Sequence, residues 1–456
     1  MPKHGSRGLL EATAFNRIET ASQNVVSHTQ QSMLRDQLAY LRAQSKFYQK
    51  RLADAGIDWN TLEGVADLPR VPFTTKQDLR DSLRAAPPFG KHVAADPAQI
   101  RQIQASSGTT GSPSYVALTK SDSLRWQESS ARSLFACGVR PGDRVLHAFS
   151  LSKGFVGGLP VFQALQYLGA LDVPIGADGG ADRLLIACRD LRPRAIVGTP
   201  NYLLHLGELV PSTLGMSARE LGIERLVVGG EPGGGIPAIR SQLEQLWDAK
   251  VTEMMGGADL GVMFWAECVH QRGMHMVSPD HVLCELIDPA TGATRPFEKG
   301  VTGELVYTSL LREASPLLRF RSGDHVHVLD TECECGRTGP MIRCVGRTDD
   351  MLIVRGVNVF PSAIQDVVGG LTPQTSGILR VLAEFTGHST QRNLPVFVER
   401  GENAAPKDDA ALKAEIEHRV RNRLAVKIEV EIVPYRTFER PGARKVALTI
   451  RQRPPL

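Results

Sequence analysis

The chain has 456 residues, 42% of them apolar and 22% charged, with a formal net charge of +4. That balance suits a globular protein of more than one domain. It offers no block of like charges interleaved with aromatics for nucleic-acid binding, and no apolar run long enough to span a bilayer. The basic start, Met1 to Arg7, is followed by polar sequence instead of an apolar leader, so a cytoplasmic location is expected. Seven cysteines, an odd number, then argue against a disulfide framework.

Taken in chain order, the first eighty residues read as helices. Leu34, Leu38 and Leu41 recur at helical spacing, and Pro69, Pro72, Pro87 and Pro88 break the pattern. From about 100 to 310, short apolar segments rich in β-formers (144–149, 194–198 and 225–230) alternate with amphipathic stretches such as 236–246. This alternation predicts an α/β fold of helix-covered parallel sheets. In open sheets of that kind, ligands gather where loops leave the carboxyl ends of strands. Gly198-Thr199-Pro200 and Gly229-Gly230-Glu231-Pro232 stand at such ends. Residues 303–328 read as β-rich, and a boundary is expected near 346–350. It divides a large core, 1–346, from a smaller mobile α+β lid, 347–456.

The most informative stretch is Ala105 to Pro113. Ser106, Ser107, Gly108, Thr109, Thr110 and Gly111 combine four hydroxyls with two glycines. Backbone amides in a glycine-containing turn form an anion-binding concavity, and hydroxyl donors rotate to suit a phosphate. The same composition also suits an ordinary hydrophilic loop. It is not a Walker loop, because no lysine follows Gly111. Further along, Cys268, His275, Cys333 and Cys335 could form a tetrahedral Cys₃His zinc site of structural type, with buried free thiols as the alternative.

The order Ser-Ser-Gly-Thr-Thr-Gly-x-Pro resembles the signature of the adenylate-forming superfamily. Other segments fall in that family's order: the 229–232 loop, Phe320-Arg321-Ser322-Gly323-Asp324, and Gly346-Arg347-Thr348-Asp349-Asp350. Leu68-Pro69-x-x-Pro72-Phe73-Thr74-Thr75-Lys76-x-Asp78, Pro88-Phe89-Gly90, Glu267-Cys268, Cys335-Gly336-Arg337-Thr338 and the run 346–361 sharpen the resemblance to the phenylacetate-CoA ligase branch.

The resemblance implies an aryl-CoA ligase. It would use ATP and Mg²⁺ to activate an aromatic acid as its acyl-adenylate, then pass the acyl group to CoA. Residues 106–111 would grip pyrophosphate, Gly230, Glu231 and Pro232 would flank the base, and Asp324 would hold the ribose. Arg347 and Lys445 would supply cationic charge to the reaction. Asp349 would be the hinge, with Arg355 and Gly356 at the CoA channel. Asp259 would ligate Mg²⁺, although Met255-Gly256-Gly257-Ala258-Asp259 departs from the branch's Tyr-Gly-x-x-Glu at both ends. The segment 149–158 resembles the branch's aromatic-acid segment, and Phe155, Pro174, Ile175, Tyr202, Gly230 and Met255 would surround the aryl group. Some relatives carry zinc at the Cys/His constellation, and a homodimer is left open. An enzyme that loads a carrier protein, or a non-catalytic nucleotide-binding relative, would share these motifs.

Overall fold

Elements that support the site form for local reasons. Ser22 caps the helix Gln23–Gln44, whose Val26, Leu34, Leu38 and Leu41 are buried. Thr119 and Asp122 form a capping box at the head of the helix Lys120–Ala136. The computed structural model describes residues 13–105, 115–152, 154, 156–348, 350–355, 357–385, 387–439 and 447–454. The expected site residues Ser106, Ser107, Gly108, Thr109, Thr110, Gly111, Phe155, Asp349, Gly356 and Lys445 lie outside them.

Two strands, β1 (Ile100–Ala105) and β2 (Tyr115–Thr119), pair antiparallel on either side of the 106–114 stretch. The main sheet has twelve strands. Its parallel half contains β3 (Arg144–His147), β4 (Leu171–Val173), β5 (Ala195–Gly198), β6 (Arg225–Val228) and β7 (Lys250–Gly257), in spatial order β4-β3-β5-β6-β7. β5 and most of β3 and β6 are buried, as expected of strands covered on both faces. One face carries a core around Leu146, Leu203, Leu226 and Trp247, and the other a core around Phe135, Val145, Leu165 and Val197.

The expectation of parallel sheets needs extending here. β7 turns back antiparallel into β8 (Gly261–Glu267), and the same sheet continues through β9 (Met274–Met276), β10 (Val282–Ile287), β11 (Thr294–Arg295), β12 (Thr302–Ser309), β13 (Phe320–Asp330) and β14 (Met341–Arg347). The turn depends on Gly256, where a Cβ would stand 2.0 Å from the Val262 carbonyl oxygen.

Beyond β14, a second body forms around the helices Pro361–Gly369 and Asp409–Leu424. They cover a mixed sheet built from β15 (Thr375–Leu382), β16 (Leu394–Arg400), β17 (Ile428–Val433) and β18 (Thr449–Ile450). Their own apolar core includes Ile364, Leu379, Val398 and Ile416. This body touches the first through Gln242, whose Nε2 donates to Thr372 Oγ1 at 2.7 Å, and through Ser362, whose Oγ donates to the Val345 carbonyl at 2.7 Å. No helix among the described residues is long and apolar enough to cross a membrane.

Candidate active site

The register of β13 and β14 sets Asp324 opposite Arg347, and Arg347 Nη1 donates to Asp324 Oδ1 at 2.8 Å. Gly323 takes φ +77°, a conformation that glycine adopts at low cost, and its carbonyl accepts from Thr348 N at 2.7 Å. Thr348 Oγ1 also meets His325 Nε2 at 2.9 Å. Burial pushes the His325 imidazole pKa down, favouring its neutral form. On the preceding turn of the strand, Arg321 is paired with the buried Glu304, whose hydrogen bond raises the guanidinium's pKa. Arg321 is thus committed to the sheet, whereas Arg347 closes β14 with Asp324 of β13 opposite it.

The Glu231 loop leaves the parallel half of the sheet. Glu231 Oε1 accepts from Asn201 N at 3.2 Å, which ties the loop to the head of the helix Pro200–Leu214. A Cβ on Gly230 would face Thr199 Cγ2 at 3.7 Å and Phe149 Cε1 at 3.8 Å. Gly235 is backed by Glu253 of β7 and lies beside Arg343 of β14, so the loop and the strand leading to Arg347 are neighbours.

Glu253 is buried, and burial together with the nearby Glu267 carboxylate pushes its carboxyl up to about 7 from an ordinary 4.5. A carboxyl raised in this way binds its proton more tightly in the folded chain. Its stabilising contribution is intact below about pH 4.5 and is lost as pH rises through about 7. Glu253→Gln is therefore expected to stabilise the protein at pH 8, on the order of 3 kcal/mol, and to have little effect near pH 4. Denaturant midpoints of both proteins across that range would check this.

Asp259 sits in the turn between β7 and β8 and is buried. Two donors pin the next residue's carbonyl: Trp126 Nε1 at 2.9 Å and Arg312 Nη1 at 2.7 Å, both to Leu260 O. The Asp259 carboxylate itself is held by Lys76, whose Nζ lies 2.6 and 2.8 Å from its two oxygens. Sequence reading placed Lys76 in a motif without giving it a task. A separation of 183 positions between the partners left no local signal. A single carboxylate is a suitable hard ligand for Mg²⁺, which commonly takes one or two carboxylates together with substrate phosphates. In this arrangement the metal and the lysine ammonium would compete for the same oxygens.

The residues expected around the acyl group are only partly gathered. Tyr202 is buried in the core on one face of the parallel strands, Ile175 packs against that core, and Met255 joins a different cluster around Phe264 and Tyr307. Pro174 is exposed. Burial pushes the Tyr202 hydroxyl up to about 12, so it stays neutral.

Cys268, His275, Cys333 and Cys335 converge, with their ligand atoms all within 4.8 Å of one another. Cys268 and Cys333 Sγ atoms are 3.7 Å apart, and Cys335 Sγ is 3.6 Å from His275 Nε2. The first distance is far longer than a disulfide, whose S–S bond is about 2.05 Å. Zn–S bonds of ~2.3 Å and Zn–N bonds of ~2.05 Å require tetrahedral edges of roughly 3.8 Å between sulfurs and 3.6 Å between sulfur and nitrogen. The donor set therefore fits zinc in both chemistry and spacing. Hydrogen bonds from Cys268 and contact with His275 hold the Cys335 thiol far below the usual thiol range.

This geometry belongs to a recognisable class. The AMP-binding enzyme family model matches residues 18–310, and the AMP-binding enzyme C-terminal domain model matches 356–452. Among curated proteins, the phenylacetate-coenzyme A ligase of Thermus thermophilus is 34% identical over 91% of this chain and 94% of its own. A 2-hydroxyisobutyryl-CoA ligase in its postadenylation state superposes with a TM-score of 0.89 at 28% identity, covering 97% of this chain and 93% of that one. The same ligase in its thioesterification state gives 0.70 at 29% identity, covering 96% and 92%. The chain belongs to the phenylacetate-coenzyme A ligase family of AMP-binding enzymes.

Proposed function

We propose that the protein is an ATP-dependent ligase that joins an aromatic carboxylic acid to CoA through an acyl-adenylate, releasing pyrophosphate and AMP. The observation that carries this is the Asp324–Arg347 pair, set where β14 ends, on the strand whose Arg343 borders Gly235 of the 229–235 loop. An ionised carboxylate only accepts hydrogen bonds, so Asp324 suits both ribose hydroxyls, and Arg347 holds it in the accepting orientation. Arg347 also offers further donors to a phosphate oxygen. Glu231 fixes the base loop on the neighbouring helix. The catalytic contribution of these groups is to position the carboxylate near the α-phosphorus and to stabilise the charge that develops there.

Asp259 would ligate Mg²⁺, which when bound neutralises charge on the phosphates. Lys76, which holds that carboxylate, would supply a second positive charge beside the phosphates. The better superposition on a postadenylation structure than on a thioesterification one supports reading this arrangement of the two bodies as the adenylating one. Residues 347–456 would act as the lid, Asp349 as its hinge, and Arg355 with Gly356 as part of the CoA channel. Cys268, His275, Cys333 and Cys335 would hold a structural zinc ion. A pocket bordered by Gly230, Phe149 and Thr199 would receive the aryl group.

Asp324→Asn is expected to reduce kcat/KM for ATP by about 100-fold, on the scale of losing a charge-assisted hydrogen bond in the transition state. KM for the acid should change little. Steady-state pyrophosphate release with each substrate varied in turn would check both. The reading as a whole requires pyrophosphate release that depends on ATP and an aromatic acid together; a protein that binds ATP but releases none with any acid would contradict it.

A further inference from the structure

The last residue of β3, His147, is fully buried, and none of the roles above uses it. Its Nε2 lies 3.0 Å from the Gly157 carbonyl oxygen. A carbonyl only accepts, so Nε2 must carry a proton. Its Nδ1 faces the Asp172 carboxylate of β4 at 3.7 Å. Asp172's side chain is 2% exposed, and neither of its oxygens has a hydrogen-bond partner among the described residues. Nδ1 likewise has no hydrogen-bond partner among the described residues, so the Nε2–Gly157 bond is what fixes the ring, with Asp172 backing it.

What this pair holds in place lies on both sides of the expected acyl pocket. The ring anchors Gly157, next to the glycine that caps the helix Leu159–Leu168. The His147 carbonyl accepts from Gly176 N at 3.0 Å, fixing the segment that contains Ile175. The ring also stacks edge-on against Phe149, at 6.1 Å between centroids. The glycine loop that Gly157 ends reaches the start of the phosphate stretch, since the Gly154 carbonyl accepts from Ala105 N at 2.8 Å.

We propose that His147, backed by Asp172, is a positioning residue that fixes the Gly157 turn and, through it, the wall of the acyl pocket. This rests on the acid-binding reading above. His147→Ala leaves the Gly157 carbonyl without its donor and is expected to raise KM for the acid by about tenfold, the scale of one lost buried hydrogen bond. KM for ATP should be nearly unchanged. The double variant His147→Gln with Asp172→Asn keeps an amide donor aimed at Gly157 without a buried charge, and should recover most of the wild-type KM for the acid. Nitrogen-15 spectra of histidine-labelled protein should show one imidazole whose Nε2 proton exchanges slowly with solvent, absent in His147→Gln. An unchanged KM for the acid, equal rises for acid and ATP, no recovery in the double variant, or the absence of such a protected Nε2 proton would each overturn the proposal. If the wild type releases no pyrophosphate with any acid, the acid-binding reading fails instead, and the imidazole spectrum alone decides whether the His147–Gly157 anchor exists.

Discussion

Replacing Lys445 with alanine is expected to slow pyrophosphate release by about 10²–10³-fold while leaving thioester formation from supplied acyl-adenylate nearly intact. That loss is the scale observed when one preorganised donor to developing negative charge is removed. The argument starts from a deficit. The 106–111 stretch offers hydroxyls and amides but no lysine after Gly111, so the positive charge at the phosphates must come from elsewhere. Arg347 is partly committed to Asp324, and Lys76 to Asp259. Lys445 precedes, in sequence, the strand β18, which is anchored parallel to β15 in the second body through Val381 and Thr449. A lysine carried on that body could serve one half-reaction and withdraw from the other, which couples lid position to catalysis. Single-turnover assays of each half-reaction would separate these effects. Equal loss in both would remove Lys445 from the adenylation step.

Loss of the proposed zinc site is the second large effect expected. Cys335→Ser or Cys333→Ser should remove one zinc ion per chain and destabilise the protein by several kcal/mol. That is less than the roughly 10–16 kcal/mol that zinc binding supplies to a zinc-finger peptide, because here the surrounding sheet persists. The four ligands join three places: the end of β8, the middle of β9, and the connection between β13 and β14. That connection then clasps the start of the chain. Arg337 pairs with the fully buried Glu19 at 3.0 Å, and Thr338 N donates to the Glu19 carbonyl at 2.9 Å. Burial still raises the Glu19 carboxyl despite Arg337, so this contact is costly to leave half made. Releasing the knuckle would therefore loosen both the β13–β14 turn and the N-terminal segment, while Arg347 lies at the opposite end of β14 with Asp324 across from it. Metal analysis with thermal midpoints would check the prediction. Zinc-free protein, prepared without chelators yet equally stable, would contradict it.

The parts legible from sequence were those whose chemistry is local and ordered. The β3, β5 and β6 segments announce themselves because strands covered on both faces are continuous apolar runs ending in glycine-bearing loops. The Phe320 to Asp324 and Gly346 to Asp350 motifs were legible as ordered sequence, while the register of β13 and β14 is what sets Asp324 opposite Arg347. Contacts set by register were not legible. That β7 and β8 weld parallel and antiparallel halves into one sheet follows from Gly256 meeting the Val262 carbonyl, a close approach with no periodic signal. The Lys76–Asp259 pair and the His147–Asp172 pair depend on which elements become neighbours. Among the acyl-pocket residues, Tyr202 is buried in the core on one face of the parallel strands and Ile175 packs against it, because apolar character alone does not separate a pocket wall from the core beside it.

The most direct measurement of the central claim is pyrophosphate release and CoA thioester formation, followed together over a panel of aromatic acids. The expected result is release that requires both ATP and an acid, with one thioester and one AMP formed for each pyrophosphate when CoA is present. No release with any acid would leave only a nucleotide-binding protein, and release without CoA consumption would point to a carrier protein as the acceptor; either would contradict the assignment as an aryl-CoA ligase.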